Sequence, residues 1–376
     1  MDNIRPTWAE IDLTAIKHNL TMVRKIVDPA MIMAVVKADG YGHGMLEVSQ
    51  TCLREGVECL GVASLEEALF LRKSGVAAPV LVLGYIPDEF AELTVKHNVR
   101  ASIFTWAFAR ALSQAAVKLG QTANLHIKID TGMGRIGFPA APETLEMIIK
   151  ISRLPGVRIE GIFTHFAESD SLNKDFSREQ LAVFSGIISS SEKRGISIPW
   201  KHCSNSAALI DMPESHFNMV RAGIVLYGLY PSQFVNKDRL PIIPAMTLKS
   251  RIAFLKELEP GHSVSYNRTY CCSRKTKVAT VPIGYADGYS RLLSNRAQAV
   301  IRGQRVPLIG NVCMDQCMFD VSNVEGVKEG DEIILFGRPE DGITADDLAQ
   351  IMGTINYEVV SAHSARVPRI YEGGIL

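Results

Sequence analysis

Neither charge predominates in this chain. Its 376 residues carry 40 Lys and Arg against 40 Asp and Glu, which leaves no electrostatic footprint for nucleic acid or an anionic membrane. Long hydrophobic runs are missing too. The longest, residues 30–36, falls far short of the roughly 20 residues that a bilayer-spanning helix needs. The opening MDNIRPTWAEIDL has no apolar core of a signal peptide, so a cytoplasmic location is expected. Cysteine is sparse and odd in number, at seven. Without a secretory signal, and without a second pair or a histidine to complete Cys313 and Cys317, neither a disulfide framework nor a metal site is expected; the thiols read as free and buried. Internal repeats and low-complexity segments are absent as well.

What is present is length and apolar content. The chain exceeds one ordinary core, and 47% hydrophobic residues describe a globular protein. Short apolar runs alternate with helical patterns: the run ending at Lys37, then residues 58–63, 80–83, 99–104, 124–130, 159–165, 200–203 and 219–224. Eight such units predict an α/β fold, a (β/α)8 TIM-type barrel, with its functional groups at the C-terminal ends of the strands. Seven or nine would instead suit an open doubly wound sheet. Lys37, Lys128, Arg135, His165, Ser206 and Arg221 all fall at or near such ends. Thr14, and Ser64 with Glu67, are expected to cap helices. After Pro231 the pattern changes. Pro241 and Pro244 punctuate a linker, and alternating runs broken by Glu-Pro-Gly, Arg-Gly-Gln and Lys-Glu-Gly-Asp turns predict a mostly-β C-terminal domain, with one helix opened by Thr344. The expected division is residues 1–240 for the barrel and 241–376 for the β domain.

Residues 34–44, AVVKADGYGHG, organise the rest. Lys37 ends a run with adjacent β-branched residues, the pattern of a strand buried on both faces. An amine at the edge of such a core loses proton affinity and becomes nucleophilic. Gly40, Gly42 and Gly44 let backbone approach a ligand beside Tyr41. Taken alone, such a lysine reads more readily as one snorkelling from a strand end to solvent. Residues 132–137, GMGRIG, meet the dinucleotide pattern G-x-G-x-x-G, but Pro139 and Pro142 delay the helix that should begin inside it. Ser204-Asn205-Ser206 and Arg221-Ala222-Gly223-Ile224 follow late strands, where a barrel's hydroxyls and exposed N–H groups hold phosphate.

AVVKADGYGHG resembles the pyridoxal-phosphate attachment segment of the alanine racemase family. WAEIDLTAIKHNL, KIDTGMGRIGF, HCSNSAA, MVRAGIVLYG, PGHSVSYNRTY, GNVCMDQ and INYEVVSAHSARVPR extend the resemblance from about Trp8 to Arg369. It implies pyridoxal 5'-phosphate carried by Lys37, with Tyr41, Ser206, Gly223, Ile224 and Tyr357 at the phosphate and Asn205 in support. Arg221 would face the pyridine nitrogen, and His165 would link Arg221 to a second base. An arginine there keeps the nitrogen unprotonated and the cofactor a weaker electron sink; fold-related decarboxylases are expected to carry a glutamate instead. The resemblance assigns the two bases to Lys37 and Tyr266. A phenol serves as a base at neutral pH only when positive charge or donated hydrogen bonds stabilise its anion. Tyr266 would arrive from the neighbouring chain of a head-to-tail homodimer, together with Met314 and Asp315 at the substrate carboxylate. Tyr285 and Tyr357 would narrow the entrance beside Arg291. Arg135 would meet the substrate carboxylate, next to Lys128, which is open to carbamylation.

The resemblance therefore implies interconversion of L- and D-alanine by two-base α-proton transfer, with D-alanine feeding peptidoglycan synthesis. A racemase of serine or lysine, and a non-catalytic pyridoxal-phosphate carrier on the same barrel, are the rival readings. Because the latter has no need of Tyr266 and Met314 in a β domain, the presence of both favours an enzyme.

Overall fold

The computed structural model describes residues 5–374. After β1 (Thr7–Asp12) come eight parallel strands alternating with helices: β2 (Met31–Val35), β3 (Cys59–Val62), β4 (Val80–Val82), β5 (Arg100–Ile103), β6 (Ala123–Asp130), β7 (Val157–Phe163), β8 (Trp200–His202) and β9 (Met219–Ala222). They pair in chain order, and β9 returns to lie against β2. At the remaining seam, between β8 and β9, Arg221 N donates to Ser204 O at 3.0 Å, while the Arg221 guanidinium donates to the carbonyls of His202 and Cys203. The expected (β/α)8 barrel is therefore present, nearly closed. No helix among the described residues is long and apolar enough to cross a membrane.

The helices wrap the barrel through apolar stripes. In α1 (Leu13–Val27) the buried face is Ile16, Leu20, Val23 and Val27, the i, i+4, i+7 spacing of an amphipathic helix. Its cap is Asp12 rather than the expected Thr14. The Asp12 carboxylate ends β1 in extended conformation and accepts from Thr14 N and Ala15 N, two orphan donors where a hydroxyl would take one. The circuit continues through α2 (Met45–Arg54), α3 (Leu65–Lys73), α4 (Ala91–Lys96), α5 (Trp106–Leu119), α6 (Pro142–Ser152), α7 (Asp175–Lys193) and α8 (Ser206–Asp211). Ser64 caps α3 as expected, accepting from Glu67 N. The Glu67 carboxylate serves a different purpose: it accepts from Ala63 N and from Ala38 N, at 2.7 Å each, and so props the turn that follows β2.

The second domain contains β10 (Met246–Arg251), β11 (Phe254–Leu258), β12 (Thr276–Val281), β13 (Gln298–Ile301), β14 (Gln304–Pro307), β15 (Cys317–Asp320), β16 (Glu332–Phe336), helices α9 (Ala345–Met352) and α10 (Asn356–Ser361), and β17 (Arg369–Glu372). A six-stranded sheet runs β14-β13-β16-β10-β1-β17, beside a three-stranded sheet β11-β12-β15. β1 thus lies in this second sheet, antiparallel to β10 with Ala9 opposite Leu248, and parallel to β17. Thr344 and Asp347 form the expected capping box of α9. The β domain meets the barrel at the turn after β2. Arg369 Nε donates to Gly42 O at 3.0 Å, and Gly42 packs so tightly on α10 that any Cβ there would collide with the Val360 carbonyl.

Candidate active site

β2 delivers Lys37 to the barrel mouth, and the next five residues make a left-handed turn. Ala38, Asp39, Gly40, Tyr41 and Gly42 have φ of +53°, +53°, +61°, +51° and +81°. Three of them carry side chains, each costing about 1–2 kcal/mol in this region, so the turn persists only because its surroundings hold it. Besides Glu67 and Arg369, Asp39 accepts from Met45 N at 2.9 Å and the buried Tyr227 hydroxyl donates to Val35 O at 3.0 Å. Strain over-determined in this way concentrates at functional sites.

The turn opens on a cavity of about 600 Å³ at the C-terminal ends of the strands, lined by Lys37, Tyr41, Lys128, Arg135, His165, Asn205, Ser206, Arg221, Gly223, Ile224 and Tyr357. One corner is a small polar cradle. Gly223 N donates to Ser206 Oγ at 3.1 Å, and a Cβ on Gly223 would stand 3.0 Å from the Tyr41 hydroxyl, so glycine keeps the corner open. Burial pushes the Tyr41 and Tyr357 hydroxyls well up; both are donors at neutral pH. Asn205 caps α8, accepting from Ala208 N at 3.0 Å and from the Ser169 hydroxyl at 2.8 Å, which fixes Ser206 at the helix's first turn.

The opposite wall is cationic. Arg221, 4% exposed, has no carboxylate partner among the described residues. Its NH1 donates to His202 Nδ1 and His202 O at 3.0 Å, and its NH2 to Thr164 O, Cys203 O and His165 Nδ1 at 2.9, 2.9 and 3.0 Å. Burial lowers its proton affinity to about 10, leaving it charged at neutral pH. Desolvation, with Arg135 and Arg221 adding to it, lowers that of Lys37; desolvation, with Arg221 and Arg135, lowers that of Lys128 well below the ordinary value. Lys128 Nζ rests 4.4 Å over the Phe163 ring. Desolvation and Arg221 hold His165 well below the usual imidazole range, so it is neutral at neutral pH. A cavity this rich in cations and donors suits anionic groups, phosphate and carboxylate, beside an amine that gives up its proton readily.

Arg135 reaches this cavity on the glycine-rich loop after β6. Asp130 gathers that loop, accepting from Gly132 N, Gly134 N and Arg135 N at 2.9, 3.1 and 3.2 Å. The G-x-G-x-x-G stretch is therefore wrapped on a carboxylate, and α6 starts only at Pro142. It lacks the helix N-terminus that a dinucleotide-binding loop requires.

Tyr266, Tyr285, Arg291, Met314 and Asp315 do not line the cavity; they lie together on the β domain. Tyr266, Tyr285 and Met314 are 66%, 43% and 52% exposed. Their loops are tied to one another: Asn311 Nδ2 donates to Tyr266 O at 2.7 Å, Arg291 to Val312 O at 3.2 Å, Tyr285 N to Cys313 O and Ala286 N to Met314 O, both at 3.0 Å. Arg366 pairs with Asp315 at 2.7 Å. Sequence reasoning missed His202, His126 and Glu160, which back the cationic wall from inside the barrel. The available signal was the alternation in β6, where His126 and Lys128 share a face. That face is the barrel interior rather than solvent: His126 is fully buried and Lys128 nearly so.

A barrel with an amine and a cationic wall at its mouth, coupled to a β domain that packs on the amine's own turn, is the architecture of a barrel-fold enzyme that holds an anionic ligand beside a nucleophilic lysine. The chain belongs to the alanine racemase family. The family's N-terminal domain model matches residues 11–231 and its C-terminal domain model residues 245–371. An alanine racemase of Clostridium perfringens is 49% identical over 371 residues, covering 98% of this chain and 96% of the relative. That of Methanococcus maripaludis is 45% identical over 368 residues, covering 97% and 98%. The solved alanine racemase of Clostridium difficile superposes with a TM-score of 0.94 at 42% identity, covering 98% of this chain and 96% of the other.

Proposed function

We propose that the protein interconverts L- and D-alanine with pyridoxal 5'-phosphate held in the barrel mouth. The carrying observation is that one cavity combines a lysine amine of lowered proton affinity, a polar cradle of Tyr41, Ser206 and Gly223 that a Cβ at Gly223 would crowd, and a buried arginine with no carboxylate partner among the described residues. Lys37 would hold the cofactor covalently. Tyr41, Ser206, Gly223, Ile224 and Tyr357 would hold its phosphate, with Asn205 fixing Ser206. When bound, the cofactor withdraws electrons from the α carbon of an attached amino acid and makes its proton acidic. Arg221, permanently a donor, would face the ring nitrogen and leave it unprotonated, which limits that withdrawal and favours simple return of the proton. Arg135 would orient the substrate carboxylate beside Lys128, a lysine kept neutral-leaning by its surroundings and so able to react with carbon dioxide.

Racemisation needs a base on each face. Lys37 supplies one, taking the proton from D-alanine. We assign the other to Tyr266 of a second copy, taking the proton from L-alanine and accompanied by that copy's Met314 and Asp315, because these exposed residues share one patch and none lines the cavity of its own chain. Tyr285 and Arg291 of that patch would flank the entrance with Tyr357. In this reading residues 1–240 bind the cofactor, residues 241–376 supply the second base, and each site belongs to two chains of a head-to-tail homodimer. The reading includes a cytoplasmic enzyme whose D-alanine serves peptidoglycan synthesis.

Mixing two inactive variants tests this arrangement. A dimer of one Lys37→Ala and one Tyr266→Phe chain contains one intact site and one doubly defective site. Random exchange should therefore restore about a quarter of wild-type activity. If both variants are inactive alone and their mixture, shown to exchange subunits, stays inactive, the site is not shared.

A further inference from the structure

Arg221 is anchored from behind by a chain of side chains that runs down the barrel interior. NH1 lies 3.0 Å from His202 Nδ1, His202 Nε2 lies 2.9 Å from His126 Nδ1, His126 Nε2 lies 3.5 Å from Glu160 Oε2, and Glu160 is paired with Arg100 Nε at 3.1 Å. A guanidinium can only donate and an ionised carboxylate can only accept, while a neutral imidazole has one nitrogen of each kind. With those two ends, the two hydrogen bonds of the chain have one orientation, and the last link, His126 Nε2 to Glu160, is an electrostatic contact rather than a hydrogen bond. Arg221 donates to His202 Nδ1, so the His202 proton is on Nε2; this donates to His126 Nδ1, so the His126 proton is on Nε2, on the side of Glu160. The same logic on the other branch puts the His165 proton on Nε2, because its Nδ1 accepts from Arg221 NH2 at 3.0 Å.

The backbone is shaped to hold this line. Leu125 of β6 is in register with Ile159 of β7, but His126 is in register with Gly161, so Glu160 is an extra residue in the ladder. Bulges of this kind re-aim a side chain next to a site. At Gly161 any Cβ would collide with the His126 ring. The rings are packed as well: His202 stacks on Phe163 at 4.8 Å and 10°, and His126 meets Trp200 edge-on at 5.5 Å. Burial, with Arg221 beside it, keeps His202 well below the usual imidazole range, and burial lowers His126 despite Glu160. Burial opposes ionisation of Glu160, but His126 and Arg100 outweigh it. A buried ion pair is a weak source of stability by itself, so the bulge and Gly161 are better explained by the aim they give Glu160 and His126.

We propose that Glu160 and His126 are positioning residues of the site, acting through His202 to fix the orientation of Arg221 and, through Arg221, the tautomer of His165. This rests on the racemase reading, in which Arg221 and His165 serve the cofactor and the second base. The chain works as a directional brace: donor-only at the top, acceptor-only at the bottom, with no proton displaced along it.

The test uses the cofactor-loaded protein, with nitrogen-15 imidazole spectra assigned by ring substitution, the visible absorption band of the bound cofactor, and kcat and KM for L-alanine. In the wild type, His202 and His126 should both carry the proton on Nε2. In Glu160→Leu and in His126→Leu, Arg221 should lose its fixed orientation, so that His202 becomes a tautomer mixture, the absorption band shifts, and kcat falls about tenfold with KM within about twofold, the pattern of a misplaced but bound site. Glu160→Gln keeps an acceptor oxygen and should recover kcat to within about threefold of wild type. A wild-type His202 protonated on Nδ1 overturns the proposal, and does so even if neither leucine variant folds. Folded, cofactor-loaded leucine variants with wild-type kcat and tautomers overturn it too, as does a folded Glu160→Gln that fails to recover. A wild-type protein with the expected tautomers that racemises no amino acid would instead defeat the functional reading.

Discussion

Lys37, Arg221 and Gly42 show three ways in which single residues reach the site. The lysine's place at a strand end was legible from the apolar run and the glycine-rich turn that flank it, but its reading as the cofactor-bearing amine rested on the family match of residues 34–44. Arg221 was legible only through its family match, since nothing in the order of residues tells that five acceptors converge on one guanidinium. Glu160 and His126 were not legible as a pair, because their contact depends on a register slip that strand alternation conceals. Gly42 has a sharper consequence. It sits at φ +81° with the Val360 carbonyl where a Cβ would go, so Gly42→Ala must distort the junction between α10 and the Lys37 turn. We expect a loss of at least about 2 kcal/mol in urea unfolding, from backbone strain and overpacking together. Gly120→Ala is the control, since that glycine also has positive φ but no neighbour within 4 Å.

Among the elements, the loop after β6 departs furthest from what its sequence pattern suggests. Its glycines matched a dinucleotide pattern on paper, yet the three N–H groups converge on Asp130 and carry Arg135 into the cavity. Asp130→Ala should release the loop and raise KM for alanine about tenfold, leaving far-ultraviolet circular dichroism unchanged. At the other end of the chain, Thr344 closes a reciprocal box with Asp347 at the start of α9. Thr344→Ala should cost about 1 kcal/mol in unfolding free energy, with little effect on kcat. Strand positions in the barrel were readable from alternation and punctuation. β1 was not, since its place in the second sheet depends on β10 and β17, more than 230 residues further along; no local pattern encodes a pairing that distant.

As a whole molecule, the protein keeps several histidines neutral by burial. His43 and His363 are both lowered to about 4, chiefly by desolvation, whereas an unfolded histidine titrates near 6.5. Below that value the unfolded chain binds protons that the folded chain refuses, so stability rises with pH and is lost as pH falls from about 6.5 toward 4. Each of these two residues should account for about 2 kcal/mol between pH 7 and 5, and His363→Phe should flatten the dependence of the urea midpoint on pH over that interval. The proposed assembly rests on the family resemblance: the fold places Tyr266 on an exposed patch and Lys37 in a cavity, with nothing among the described residues to join them. The most direct measurement of what they do together is solvent exchange at the α carbon. L-alanine incubated in deuterium oxide with the pyridoxal-phosphate-loaded protein should yield D-alanine deuterated at that carbon, and Lys37→Ala should yield none. A fully loaded protein that exchanges no α proton from either enantiomer would contradict the racemase assignment and leave a cofactor-binding protein on the same fold.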